Sequence, residues 1–141
     1  MAKSGRYSAD RKKIESLTAD KTVEVSDCGT IFILNLAAGG TVTLPDASAA
    51  GNGWWAKFVL GTKNTGGAWN IDATAGDGDN MHNIVLDEAG GNEDSHGGTA
   101  GDRIIFTANT GEIGCQVELV TDGSKWYGIS TSNATGAITS D

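Results

Sequence analysis

The sequence predicts an all-β protein, a single antiparallel β-sandwich or barrel of jelly-roll type with a basic N-terminal arm. Three observations predict it. The chain has 21 glycines against one proline, so it is rich in tight turns and poor in rigid ones. Turn residues return about every 8–12 positions, and the short runs between them are β-branched, aromatic or alternating. Helical periodicity is nearly absent. With 141 residues, of which 38% are hydrophobic, the chain is long enough for one core and too apolar for disorder.

The strands can be placed in order. Residues 22–26 alternate, and TIFILNL (30–36) is strongly apolar. Gly39-Gly40 turns the chain into TVTL (41–44), which ends at Pro45 because proline cannot donate to a ladder. DASAAGNG (46–53) is a loop leading into WWAKFVL (54–60), which has the composition of a central strand. Further strands are expected over 69–73, 83–87, 103–108, 115–121 and 125–130, about nine in all. The last two are joined by D-G-S (122–124), whose Asp-Gly pair between alternating runs signals a hairpin. The one helix candidate is 9–17, with Ser8 as its cap. Stretches 75–80 and 89–101 read as exposed, partner-facing loops.

Charge divides the chain. Residues 1–21 carry six of the ten basic side chains against three acids, a net of +3, whereas the remainder carries −11. This predicts an arm over 1–21 and a sandwich domain over 22–141. An acidic body repels phosphate backbones, which argues against direct nucleic-acid binding. No apolar run resembles a signal peptide or a membrane span, so a protein made and kept in the cytosol, or released by lysis, is expected. Cys28 and Cys115 are too few for a disulfide scaffold and too far apart in sequence for a metal-binding Cys-x-x-Cys pair. Both are expected to be buried small hydrophobes, with a bridge between them left open.

Signals for catalysis are missing. His82 and His96 lie fourteen residues apart, without a ligand spacing, and read as surface histidines. The run from Asp72 to Asn80, with Asp77 and Asp79, gathers oxygen ligands but lacks the spacing and closing glutamate of an EF-hand; Glu93-Asp94 beside His96 is weaker still. Neither a nucleophile elbow nor a phosphate-binding loop is present in the sequence. No cofactor, metal or enzymatic activity is expected.

Among the four tryptophans, Trp54 and Trp55 are adjacent, so on a strand they point to opposite faces. One fills the core and the other faces a partner, a loop or solvent. Trp55 is the candidate oligomer-interface residue, ahead of glycan stacking. Trp69 and Trp126 lie at strand starts, where they can cover the ends of the core.

Several segments resemble a known group. These are L-T-A-D-K-T-V (17–23), D-C-G-T-I-F-I-L-N (27–35), A-A-G-G-T-V-T-L-P (37–45), W-A-K-F-V-L (55–60), D-R-I-I-F-T-A (102–108) and V-E-L-V-T-D-G-S-K-W-Y (117–127). Together they resemble the small β-rich capsid decoration, cement or head-fibre proteins of tailed bacteriophages. Cys28 departs from the pattern, where such sequences often have serine. The resemblance implies a structural virion protein on the outer surface of the head, commonly a homotrimer set between major capsid protein subunits, with no cofactor and no active site. The expected function is thus capsid decoration, stabilising contacts between subunits. The arm residues Lys3, Arg6, Arg11, Lys12 and Lys13 are the expected capsid-binding set. The competing class is a head- or tail-fibre adhesion module that binds host-surface glycans through loops 77–80 and 89–101.

Overall fold

A computed structural model of the protein describes residues 11–73, 81–88 and 102–141. Among them, the strands are β1 (Lys13–Leu17), β2 (Lys21–Thr22), β3 (Thr30–Leu34), β4 (Gly40–Thr43), β5 (Asn52–Leu60), β6 (Trp69–Asp72), β7 (Met81–Asp87), β8 (Arg103–Phe106), β9 (Gln116–Asp122), β10 (Trp126–Ser132) and β11 (Ile138–Ser140). A 3-10 turn (Val25–Asp27) and a single helical turn, α1 (Ala47–Ala50), complete the described elements. Asp46 caps α1 by accepting from the Ser48 and Ala49 amides.

The strands form two packed sheets, so the chain is the all-β sandwich that its sequence predicts. One sheet has the order β1-β3-β5-β9-β10-β7 and the other β11-β8-β6-β4-β2. Both are mixed rather than antiparallel. From β1 to β6 the chain alternates between sheets, and each strand lies parallel to the one two elements earlier. The first half is therefore a coil of three turns, and it takes the place of a jelly-roll winding. Antiparallel pairs β5–β9, β9–β10, β6–β8 and β8–β11 close the second half.

Parallel coiling stacks like on like. Phe32 lies beside Phe58 and Leu34 beside Leu60, with the two phenylalanine rings stacked at 5.2 Å. At the next corner, Gly39-Gly40 packs on Gly66-Gly67-Ala68: the Gly40 amide donates to Ala68 O at 3.1 Å and the Gly66 amide to Ala37 O at 2.7 Å. Gly39 has φ +75°, and a Cβ there would sit 2.2 Å from Ala68 O, so only glycine permits this approach.

The core between the sheets holds Phe32, Leu34, Phe58, Leu60, Val117 and Leu119 from one side and Val42, Leu44, Ile71, Ile104 and Phe106 from the other. Trp54 and Trp126 meet edge to face at 5.4 Å. Trp69 and Trp126, each at the start of its strand, are fully buried. The D-G-S turn forms as expected, with Asp122 Oδ1 accepting from the Ser124 and Lys125 amides at 2.8 Å each.

The strand expected over 22–26 is only the end of β2 followed by the 3-10 turn, the loop expected over 46–53 holds α1 and the start of β5, and two further expectations need correction. Residues 13–17 form strand β1 and not the end of a helix. The sandwich thus begins at residue 13, inside the stretch assigned to the arm. Its inward positions Lys13 and Glu15 look unsuited to a strand, but each has a partner of opposite charge. Cys28 is exposed and Cys115 buried, both as free thiols, so only one of the two is a buried hydrophobe. Gly29 bonds Trp55 and Cys115 bonds Leu60, which puts the thiols at opposite ends of β5. Five residues of strand separate them by about 17 Å, beyond disulfide reach.

Candidate interaction surface

The two sheets differ on their outer faces. On the five-stranded sheet, the outward row Thr41–Asn70–Ile105–Thr139 runs beside Thr43–Asp72–Arg103. Only Ile105 is apolar among these seven. Arg103 grips Asp72 across the β6–β8 pair, Nε to Oδ1 at 2.7 Å and Nη2 to Oδ2 at 3.2 Å. That bidentate bond raises the guanidinium pKa and commits the first carboxylate of the acidic run at 72–80 to a structural pair. This face is polar, with all seven residues half-buried.

The six-stranded sheet presents a different surface. Its middle outward row reads Ile14–Ile31–Lys57–Glu118–Ile129–Ile84 across β1, β3, β5, β9, β10 and β7. The next reads Ser16–Ile33–Val59–Gln116–Thr131–Leu86. A shorter row, Trp55–Val120–Tyr127–His82, lies on the other side. Ile129 is 62% exposed, Ile84 48% and Leu86 49%, with Val120 and Tyr127 also open to solvent. Lys57, Gln116, Glu118, Val120, Tyr127 and Ile129 line a shallow groove of about 330 Å³ at its centre. Among the described residues this mainly apolar face is the candidate interaction surface.

Aromatic groups define one border of that face. Tyr127 stacks on His82 with ring centroids 6.0 Å apart, and its hydroxyl donates to Asp122 Oδ2 at 3.0 Å. The bond to the carboxylate holds the phenol pKa above its ordinary value. Trp55, half-buried, is on this face as the interface reading requires, while its neighbour Trp54 is in the core. Lys12 Nζ lies 5.6 Å from the centre of the Trp55 ring.

The basic residues expected to bind a capsid are only partly brought together. Lys3 and Arg6 lie outside the described residues, as do Asp77, Asp79, Glu93, Asp94, His96 and the loops expected over 75–80 and 89–101. Arg11 is exposed, and Lys12 covers Trp55. Lys13, still exposed, lies over the end of the coil, 3.5 Å from Asp27 Oδ1. There Lys21 meets Glu15 at 3.0 Å and Asp27 at 3.8 Å, and the Glu24 amide donates to Asp27 Oδ2 at 2.9 Å. This network closes the first coil, and its inward charges blunt the edge of β1 against further strand pairing. Lys13 therefore has a structural partner that the charge count did not reveal.

Among the described residues, no three His, Cys, Asp or Glu side chains converge as metal ligands. No described helix is long and apolar enough to cross a membrane. Comparison with known proteins finds no matching family model, no matching curated protein and no matching solved structure.

Proposed function

We propose that the protein is a structural virion protein that binds the outer surface of a tailed-phage capsid and stabilises contacts between major capsid protein subunits. The observation that carries this reading is the apolar outer face of the six-stranded sheet, set against the polar outer face of its partner sheet. A sandwich adhesive on one side only is suited to being covered in an assembly. The resemblance of the segments between residues 17 and 127 to capsid decoration proteins supplies the identity of that assembly. Binding only to the assembled head stabilises the head by mass action, and many copies on one lattice add avidity.

Contact with the head falls to the cations ahead of β1. Lys3, Arg6 and Arg11 have the charge to meet an acidic capsid surface, joined by Lys12, whereas Lys13 is held by Asp27. Co-sedimentation with undecorated heads of the parent phage tests this. Removing residues 1–10 leaves every described ladder intact, so the shortened chain is expected to keep its strand signal in circular dichroism and to lose head binding. Reversing Arg11 and Lys12 should weaken binding, as should rising salt, because screening shortens the reach of exposed charges. Failure of the full chain to bind heads would overturn the reading, and binding to host-surface glycans in its place would establish the adhesion class. Full binding by the shortened chain would move the attachment surface onto the sandwich.

A further inference from the structure

We infer that Asn52-Gly53, at the start of β5, is a site of spontaneous covalent modification, where the neutral asparagine becomes an aspartate or an isoaspartate. The inference goes beyond the capsid reading and holds or fails without it.

The reaction needs only water. The Gly53 amide nitrogen gives up its proton to solvent base and attacks Asn52 Cγ; the bond from Cγ to Nδ2 breaks, ammonia leaves, and a five-membered imide joins the two residues. Water then opens the ring. Cleavage of the bond from nitrogen to Cγ leaves aspartate, and cleavage of the bond from nitrogen to the main-chain carbonyl carbon leaves isoaspartate, with the chain rerouted through Cβ and Cγ. One water is consumed and one ammonia released. Ring closure brings the side chain against the next residue, so a Cβ there obstructs it and glycine does not. Asn52-Gly53 is the only Asn-Gly pair in the chain.

The fold leaves this pair unrestrained. Both residues are exposed, and the Asn52 side chain makes no hydrogen bond among the described residues. Gly53 has φ +89°, and a Cβ there would meet nothing within 4 Å, so the backbone has room to turn. The register between β5 and β9 shifts between Asn52 and Trp55, and the regular ladder starts only at Trp55. A segment at the end of a ladder opens locally at little cost.

Competing sites are held. Asn35 donates to Ser16, Asn64 to the Gly67 and Phe106 carbonyls, and Asn83 is bonded to Ser130 and Ser140. None of the three precedes a glycine. The nearest rival is Asp122-Gly123, which lies against the site: Asp122 is the register partner of Asn52, and a Cβ on Gly123 would sit 3.5 Å from the Asn52 amide nitrogen. The Asp122 carboxylate accepts from the Lys125 and Ser124 amides and from the Tyr127 hydroxyl, which hold it ionised and below its ordinary pKa. An ionised carboxylate is a poor target for a nucleophile, and an amide is a better one. The carboxylate formed at residue 52 adds one negative charge to a formal net of −8 and sets like charges opposite each other across the β5–β9 pair.

Peptide mass spectrometry of the purified full-length protein, after days in warm, mildly alkaline buffer, tests the inference. Both acid products are expected at residue 52, with isoaspartate identified by an isoaspartyl methyltransferase. The rate should rise with pH, because the attacking nitrogen must lose a proton. A synthetic peptide of residues 48–57 sets the unrestrained rate, and the folded protein is expected to react within about tenfold of it. Gly53→Ala and Asn52→Gln, both at exposed positions, should keep the circular dichroism of the wild type and lose most of the reaction. A protein that reacts at residue 52 only after unfolding in urea would overturn the inference, as would isoaspartate forming at Asp122 as fast as at Asn52.

Discussion

Asn83 is a polar side chain placed where an apolar one would be expected, and replacing it with alanine is expected to destabilise the fold by about 3 kcal/mol. It sits on the inward side of β7 at 2% exposure. Its Nδ2 donates to Ser140 Oγ of β11 at 3.0 Å, and its Oδ1 accepts from Ser130 Oγ of β10 at 2.9 Å. Asn83 thereby joins the edge of one sheet to the edge of the other. Each bond has a net worth of about 1 kcal/mol, and truncation also leaves the buried Ser130 hydroxyl without its acceptor, at a cost of about 1–3 kcal/mol that partly overlaps the first figure. For a chain of this size about 3 kcal/mol lowers Tm by about 10 °C. Urea unfolding of the wild type, Asn83→Ala, Ser130→Ala and the double variant checks the magnitude and its cause. Because removing both partners leaves no orphan between them, the double variant should cost at least about 1 kcal/mol less than the two single costs together. Gly128 adds a second coupling: a Cβ there would lie 2.6 Å from Asn83 Oδ1, so Gly128→Ala should cost less in the Asn83→Ala background than alone. Strictly additive costs, or an Asn83→Ala variant within about 0.5 kcal/mol of wild type, would refute the network as the tie between the sheets.

Two further outcomes follow from the coil. Burial pushes the Asp27 carboxyl up, but the Glu24 amide, Lys21 and Lys13 together hold it below its ordinary value. A depressed carboxylate contributes stability that is present above its unfolded pKa of about 4 and lost as pH falls through the lower folded value. Asp27→Asn should accordingly be less stable than wild type at pH 7 and lose less between about pH 5 and pH 2, with the two Tm curves converging; parallel curves would contradict this. Gly39→Ala and Gly53→Ala both force an L side chain into positive φ, at about 1–2 kcal/mol, but only the first places a Cβ against backbone, 2.2 Å from Ala68 O, whereas the second meets nothing within 4 Å. Chemical denaturation should show Gly39→Ala to be the more damaging by a clear margin, and equal losses would mean that the corner stack yields without cost.

How much of this was legible follows from what alternation can and cannot encode. WWAKFVL was readable from its apolar, aromatic composition and the D-G-S hairpin because the turn has its own chemistry. Strand β1 was not, since its inward Lys13 and Glu15 become acceptable only beside Asp27 and Lys21, which lie elsewhere in the sequence. Nor does a period of two distinguish a parallel from an antiparallel neighbour. A signal for the coil was nevertheless present: Phe32-x-Leu34 followed by Gly39-Gly40 returns as Phe58-x-Leu60 followed by Gly66-Gly67. It escapes a search for fixed periods because Lys13 pairs with Thr30, 17 residues on, while Ile31 pairs with Lys57, 26 residues on. The candidate interaction face was written in the sequence in another form. His-Asn-Ile-Val-Leu at 82–86 puts apolar side chains on both sides of its strand, the pattern of a strand buried on two faces. One layer of the sandwich covers Val85, and among the described residues nothing covers Ile84 and Leu86. The difference between the burial that this pattern calls for and the burial that the described residues supply is the physical ground for the proposal that this protein works in an assembly.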